Sequence, residues 1–246
     1  MEFISEVVEI RDYRDEDKVQ MRTVKVRLAP DAKFDYKAGQ FAMLAMDGFM
    51  LRATPNALKW TSYSIASSPN QQGILEFVFK IKESNGFSQF VRDNLQLGMK
   101  LKIRGPFGNF VNEKSMPHLI LVATGAGIAP IIGMIRFLLQ NGSAPKTTLV
   151  YGFRNSNYFV YKEELEQYAK TNQNFTLVST CSKPDSKWQG RKGYVQESLK
   201  DMRYDDPGNT QVFICGNPIM VSEVRRLMHE KGLPIGNLHI EQWEGA

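Results

Sequence analysis

Two cysteines, Cys181 and Cys215, are all that the 246-residue chain contains. They are too few for a disulfide framework. They are also too few to furnish an iron–sulfur cluster or a structural zinc site from protein ligands alone, so no metal is expected. Such sparing use fits a reducing cytoplasm. No apolar stretch reaches the roughly 18 residues that a membrane-spanning helix needs. The start, Met1-Glu2-Phe3-Ile4-Ser5-Glu6, lacks the basic-then-apolar order of a signal peptide. The expectation is a cytoplasmic protein outside the membrane. Charge of one sign is scarce too: 31 Lys and Arg face 26 Asp and Glu, a net of +5. That permits an acidic partner, but no nucleic-acid recognition motif accompanies it. Hydrophobic residues, at 42%, are plentiful enough to offset chain entropy and exclude a long disordered chain.

At roughly 100–200 residues per domain, the length admits one large domain or two modest ones. The rhythm of the chain favours two. Over residues 1–115 the apolar runs are short and alternate. Val24 to Leu28 and Leu75 to Ile81 read as half-buried strands, with Phe41 to Ala45 and Ser62 to Ile65 as further ones. About five or six strands of this kind, separated by turn residues, predict an antiparallel β-barrel. A helix over Phe87 to Leu95 interrupts it. Over residues 116–246 the pattern changes. Leu119 to Ala123 is continuously apolar, as for a strand buried on both faces, and Ile131 to Leu139 has helical spacing. Strands at 148–151, 175–179, 212–215 and 238–241 then alternate with helices at 162–169, 195–200 and 221–230. Strand–helix alternation predicts an α/β domain with a doubly wound parallel sheet.

Four motifs stand out, each with an ordinary reading beside the functional one. Thr124-Gly125-Ala126-Gly127-Ile128-Ala129-Pro130 links a buried strand to a helix. Its glycines admit a diphosphate to the amides of a helix start, but the spacing is equally that of a tight turn. Trp60-Thr61-Ser62-Tyr63-Ser64 offers an aromatic face beside hydroxyls, or simply a Ser/Thr-rich strand. In Asn85-Gly86-Phe87-Ser88, Ser88 or Asn85 caps the next helix, in a geometry that also holds phosphate. Cys215-Gly216-Asn217-Pro218 is another strand-to-helix turn, its cysteine a small apolar filler or a ligand neighbour.

Taken together and in this order, the motifs resemble the ferredoxin–NADP⁺ reductase superfamily. The likeness is nearest to its bacterial ferredoxin/flavodoxin–NADP⁺ reductases, as Leu75-Glu76-Phe77 and Glu241-Gln242-Trp243 also suggest. It runs from about Phe3 to Trp243. It implies that residues 1–115 bind FAD and residues 116–246 bind NADP or NAD. The implied activity is hydride transfer between NAD(P)H and flavin, with electrons passed on to ferredoxin or flavodoxin. Tyr63 would pack on the isoalloxazine and Ser64 would lie near the hydride-accepting atom. The family's Arg-x-Tyr-Ser motif falls on Thr61, Ser62, Tyr63 and Ser64, so Thr61 replaces the arginine that faces the pyrophosphate. Arg52, Lys59 and Lys80 are candidate replacements. Phe79, Lys80 and Ile81 match the strand passing the ribityl and adenosine portions, and Gly86, Phe87 and Ser88 match the pyrophosphate turn.

In the second domain, Thr124 would lie near the nicotinamide, and Gly125, Gly127 and Pro130 would shape its pyrophosphate turn. Cys215, beside Gly216, would flank the nicotinamide as a positioning group, with Glu241 nearby. Ser64, Cys215 and Glu241 form the catalytic set, and Trp243 would cover the flavin. Arg154, Ser179 and Arg191 match nucleotide-binding positions, while Thr180 stands where an NADP-selective relative often carries Arg. NADPH is favoured, although Arg191 and Lys192 also read as a solvated basic turn. An NADH-dependent flavin or cytochrome reductase and a non-enzymatic nucleotide-responsive module are the alternatives. Lys80, Lys82, Arg92, Lys100, Lys102 and Arg104 outnumber Glu83 and Asp93 between residues 80 and 104. That segment is either a docking patch for an acidic carrier or a solvated face.

Overall fold

The computed structural model describes residues 2–50, 57–114, 116–142, 145–186, 188–202 and 206–242. Its first strands form a long hairpin, β1 (Glu2–Asp15) with β2 (Lys18–Leu28). Four more follow: β3 (Phe41–Ala45), β4 (Thr61–Ser64), β5 (Ile74–Lys80) and β6 (Lys100–Phe107). They make one antiparallel sheet in the order β4-β3-β6-β1-β2-β5. Its two ends meet through an Ile65–Phe77 bridge and the Ala66 N–H donating to the Glu76 carbonyl at 2.8 Å, which closes the barrel. Alternation fills the interior with Val24, Val26, Leu44, Phe77, Phe79, Leu101 and Ile103, all fully buried. A single helix, α1 (Phe87–Asn94), lies between β5 and β6 and buries Phe87 and Val91.

The second sheet is wholly parallel, with strand order β10-β9-β8-β7-β11-β12. Its strands are β7 (His118–Thr124), β8 (Lys146–Phe153), β9 (Phe175–Cys181), β10 (Arg191–Lys192), β11 (Thr210–Cys215) and β12 (Leu238–Glu241). The helices are α2 (Ile128–Gln140), α3 (Lys162–Thr171), α4 (Val195–Asp201) and α5 (Pro218–Glu230). The doubly wound reading holds. The chain builds outward from β7 to one side, then returns to place β11 on the other, so the order reverses between β7 and β11. Ligands of such sheets bind at the carboxyl ends of the strands at that reversal. Val122, Val150, Val212 and Ile214 bury one face against Val195 and Leu199 of α4 and Val221 and Val224 of α5.

The chain forms two compact units. The first is Met1–Val111 together with Ile132–Phe137, and the second is Asn112–Ile131 with Leu138–Ala246. Ser115, at the expected domain boundary, lies outside the described residues. Among those described, no helix is long and apolar enough to cross a membrane.

Candidate functional site

In the first unit, the candidate residues gather on β4, β5 and the start of α1. Pairing with β3 sets Tyr63 opposite Ala42 and Thr61 opposite Leu44. The Tyr63 ring lies 4.4 Å from Phe79 and 5.9 Å from Phe87, and Phe49 stands 5.2 Å from Phe87. Burial pushes the Tyr63 phenol up, so it remains a neutral donor at physiological pH. Ser64 is buried, whereas Thr61 and Ser62 are half-exposed. Phe79 and Ile81 belong to the barrel core, and Lys80, between them, points the opposite way and is exposed.

The start of α1 corrects one expectation. Neither Ser88 nor Asn85 caps it. The first residue outside the helix is Gly86, in extended backbone, with no side-chain cap. Ser88 already sits inside the first turn, and its hydroxyl accepts instead from the Lys82 N–H at 3.4 Å. The Asn85 N–H donates to Gln89 Oε1 at 2.9 Å. A helix start without a side-chain cap leaves amide donors and a positive partial charge for an anion. The other end of α1 is capped by Arg22, 7% exposed, which donates to the Val91 and Arg92 carbonyls at 3.0 and 3.2 Å. Asp12 fixes that guanidinium at 2.7 Å. An aromatic wall beside an uncapped helix start fits a planar ring joined to a diphosphate, the chemistry of FAD.

In the second unit, two turns meet at the carboxyl ends of β7 and β11. A Cβ on Gly127 would overlap the Cys215 carbonyl and stand 2.7 Å from Gly216 Cα. A Cβ on Gly216 would meet the Thr124 backbone nitrogen at 2.9 Å. Glycine at both places is thus demanded by the approach of the two chains. The Asn217 N–H donates to Thr124 Oγ1 at 3.0 Å, tying the turns together. Asn217 Oδ1 in turn accepts from the Ile219 N–H at 2.9 Å and caps α5. Gly125 has φ +55°. Pro130 lies in the first turn of α2, where its missing N–H forfeits no helical bond. The α2 start, like that of α1, has no side-chain cap. The turn is a single 3-10 turn, Gly125–Gly127, that runs into α2 and takes the Ile128 N–H onto the Gly125 carbonyl, and its glycine walls suit a nucleotide diphosphate.

Cys215 is 1% exposed and pairs in register with Glu241. Burial, and then the Glu241 charge, push its thiol well above the ordinary range. A thiol held neutral makes a poor nucleophile.

The remaining candidates line the ends of β8, β9 and β10. Arg154 and Arg191 are exposed, and Ser179 is half-buried. Thr180 is fully buried, its hydroxyl donating to the Gly193 carbonyl at 2.9 Å. It therefore presents nothing to a phosphate. Arg191 pairs in register with Thr180. The Phe153 and Phe159 rings stack at 4.5 Å, with Trp188 edge-on to Phe153 at 5.2 Å. Trp188 Nε1 donates to the Arg191 carbonyl at 2.9 Å. Tyr194 stands 63% exposed at the start of α4. Trp243 and Arg52 lie outside the described residues.

The expected cationic patch is largely neutralised. Glu2 and Glu6 on β1 pair across the strands with Arg104 and Lys100 at 2.9 and 2.7 Å, and Asp47 holds Lys102 at 2.8 Å. Arg92 pairs with Glu83 and Asp93. The six cations thus stand among five carboxylates. Sequence distance had hidden these partners, since β1 and β6 are far apart along the chain.

Two family models match: an oxidoreductase FAD-binding domain over residues 16–112 and an oxidoreductase NAD-binding domain over residues 121–226. The ferredoxin–NADP reductase B of Sorangium cellulosum is 29% identical over 91% of this chain and 92% of its own. The anthranilate 1,2-dioxygenase electron transfer component of Acinetobacter baylyi is 25% identical over 86% of this chain, which spans only 59% of that protein. A solved ferredoxin NADP⁺ reductase from Neisseria gonorrhoeae, with bound FAD and NADP, superposes with a TM-score of 0.82 at 18% identity, covering 98% of both chains.

Proposed function

The chain belongs to the ferredoxin–NADP⁺ reductase-like superfamily of flavin-dependent oxidoreductases, and from that premise we propose that it takes electrons from NADPH and passes them singly to a ferredoxin or flavodoxin. FAD, when bound, supplies the chemistry: it takes two electrons as hydride and gives them up one at a time. The residues hold, orient and shield. Tyr63 walls the flavin, backed by the buried rings of Phe79 and Phe87, with Ser62 and Ser64 as hydroxyl partners beside it. The amides of Gly86, Phe87 and Ser88 receive its pyrophosphate. Gly125, Gly127 and Pro130 shape the seat of the nicotinamide nucleotide, with Thr124 and Gly216 closing it. Cys215 and Glu241 set the nicotinamide ring. Arg154 and Arg191 face the far end of the nucleotide, Ser179 lies between them, and Tyr194 offers a flat ring there. A cytoplasmic location fits the two buried, unpaired thiols.

One observation carries this reading. At the reversal point of the parallel sheet, two turns meet so closely that only glycine fits at 127 and 216. The test is the visible spectrum of the purified protein under anaerobic conditions. A yellow protein bleached by NADPH supports the proposal; a folded protein that takes up no FAD refutes it. A second reading, an NADH-dependent flavin or cytochrome reductase, gains from the burial of Thr180. Bleaching rates with NADH and NADPH separate the two, and a panel of ferredoxin, flavodoxin, cytochrome and oxygenase acceptors identifies the outlet.

A further inference from the structure

Position 61 carries no charge, yet the turn at Gly86 to Ser88 must meet a doubly negative pyrophosphate. We infer that Lys59 supplies the missing cation, a proposal that rests on the FAD reading above. Lys59 is exposed, and no carboxylate among the described residues pairs with it. Its N–H donates to the Phe49 carbonyl at 3.0 Å, which fixes the backbone beside Phe49. Its Nζ lies 5.4 Å from the centre of the Phe49 ring. Phe49 stands 5.2 Å from Phe87, the first residue of α1, and Phe87 stands 5.9 Å from Tyr63. A chain of rings thus leads from the ammonium to the uncapped helix start and on to the flavin wall. Thr61 and Tyr63 are two residues apart in β4 and share a face, and Lys59 lies two residues before that strand.

The other cations fit less well. Lys80 points away from Phe79 and hence from the ring cluster. Arg104 is engaged, lying 3.9 Å over Trp60 and 2.9 Å from Glu2. Lys82 is exposed before the helix, but it belongs to no part of the ring chain. An ammonium on a flexible stem is a point charge, so its hold on phosphate is less directional than the fork of an arginine.

The test is titration of the apoprotein with FAD and, separately, with riboflavin, which has no phosphate, followed by flavin fluorescence at several salt concentrations. Lys59→Gln should weaken FAD binding about tenfold and flatten its salt dependence, while riboflavin affinity stays as in the wild type. Thr61→Arg placed in the Lys59→Gln background should restore FAD affinity. Three results overturn the inference: unchanged FAD affinity in Lys59→Gln, an equal loss for riboflavin, or the phosphate-dependent loss appearing in Lys82→Gln or Arg52→Gln instead. A wild-type protein that binds neither flavin overturns the FAD reading itself.

Discussion

Alanine at Gly127 isolates a steric demand from a conformational one. Gly127 has φ −61° and ψ −9°, angles that any residue adopts. Its glycine is needed only for space. The atoms that a Cβ would strike are the Cys215 carbonyl carbon at 2.5 Å and Gly216 Cα at 2.7 Å. Both are backbone and cannot swing aside, so the ends of β7 and β11 must part. Overpacking of this kind costs about 2–3 kcal/mol. In a unit of this size each kcal/mol lowers the melting temperature by roughly 3–4 °C. The expected fall is therefore about 6–12 °C. The companion variant is Gly125→Ala. Gly125 has φ +55° but open space around its Cβ position, so it loses only the left-handed preference, about 1 kcal/mol. Thermal melts should rank Gly127→Ala well below Gly125→Ala. The flavin spectrum should be retained, and the KM for the nicotinamide nucleotide should rise about tenfold in Gly127→Ala. A Gly127→Ala protein that melts with the wild type, or above Gly125→Ala, refutes the close-approach reasoning.

Three further outcomes are expected. Arg136 donates to Glu76 at 2.6 Å and to the Ala66 carbonyl at 2.8 Å, with side chains 11% and 3% exposed. Arg136→Met should cost about 3–5 kcal/mol in denaturant melts, and adding Glu76→Leu should recover much of it; equal stability of the two variants would contradict this. Cys215→Ala should keep its FAD but be reduced more slowly by NADPH in single-turnover stopped-flow, and an unchanged rate removes the positioning role. His239 stacks on Phe213 at 4.3 Å, and burial, then Lys114, lowers its pKa below 6.5. The unfolded chain therefore binds the extra proton first, so stability is present above 6.5 and lost as the pH falls below it. His239→Phe should flatten stability between about pH 7 and 5; an identical acid limb counts against it.

The parallel sheet was plain in the sequence because its strands are buried on both faces. Leu119 to Ala123 and Val212 to Cys215 read as unbroken apolar runs, and each is followed by a glycine turn. The barrel was only half legible. β1 mixes charge into nearly every second position and shifts register between Val7 and Glu9 and between Tyr13 and Arg14. Its partner β6 carries Lys100, Lys102 and Arg104 on its outer side. Each strand looks like a solvated segment until the other lies beside it, and their charges match only across the ladder. The motif turns were legible as positions, but the side-chain roles in them were not. Thr180 looked like a specificity residue and is a buried bond to Gly193. Ser88 looked like a cap and bonds back to Lys82.

The pairing of Glu76 with Arg136 also bears on synthesis. All six barrel strands have been made once Phe107 has left the ribosome. The guanidinium that matches Glu76 comes 60 positions after it, within the segment Ile132–Phe137 that completes the first unit. A chain ending at Val111 would hold every strand and still lack that cation. A barrel cut at its last strand therefore buries Glu76 without its cation, and a graft onto another protein has to carry the chain through Phe137 or replace Glu76 as well.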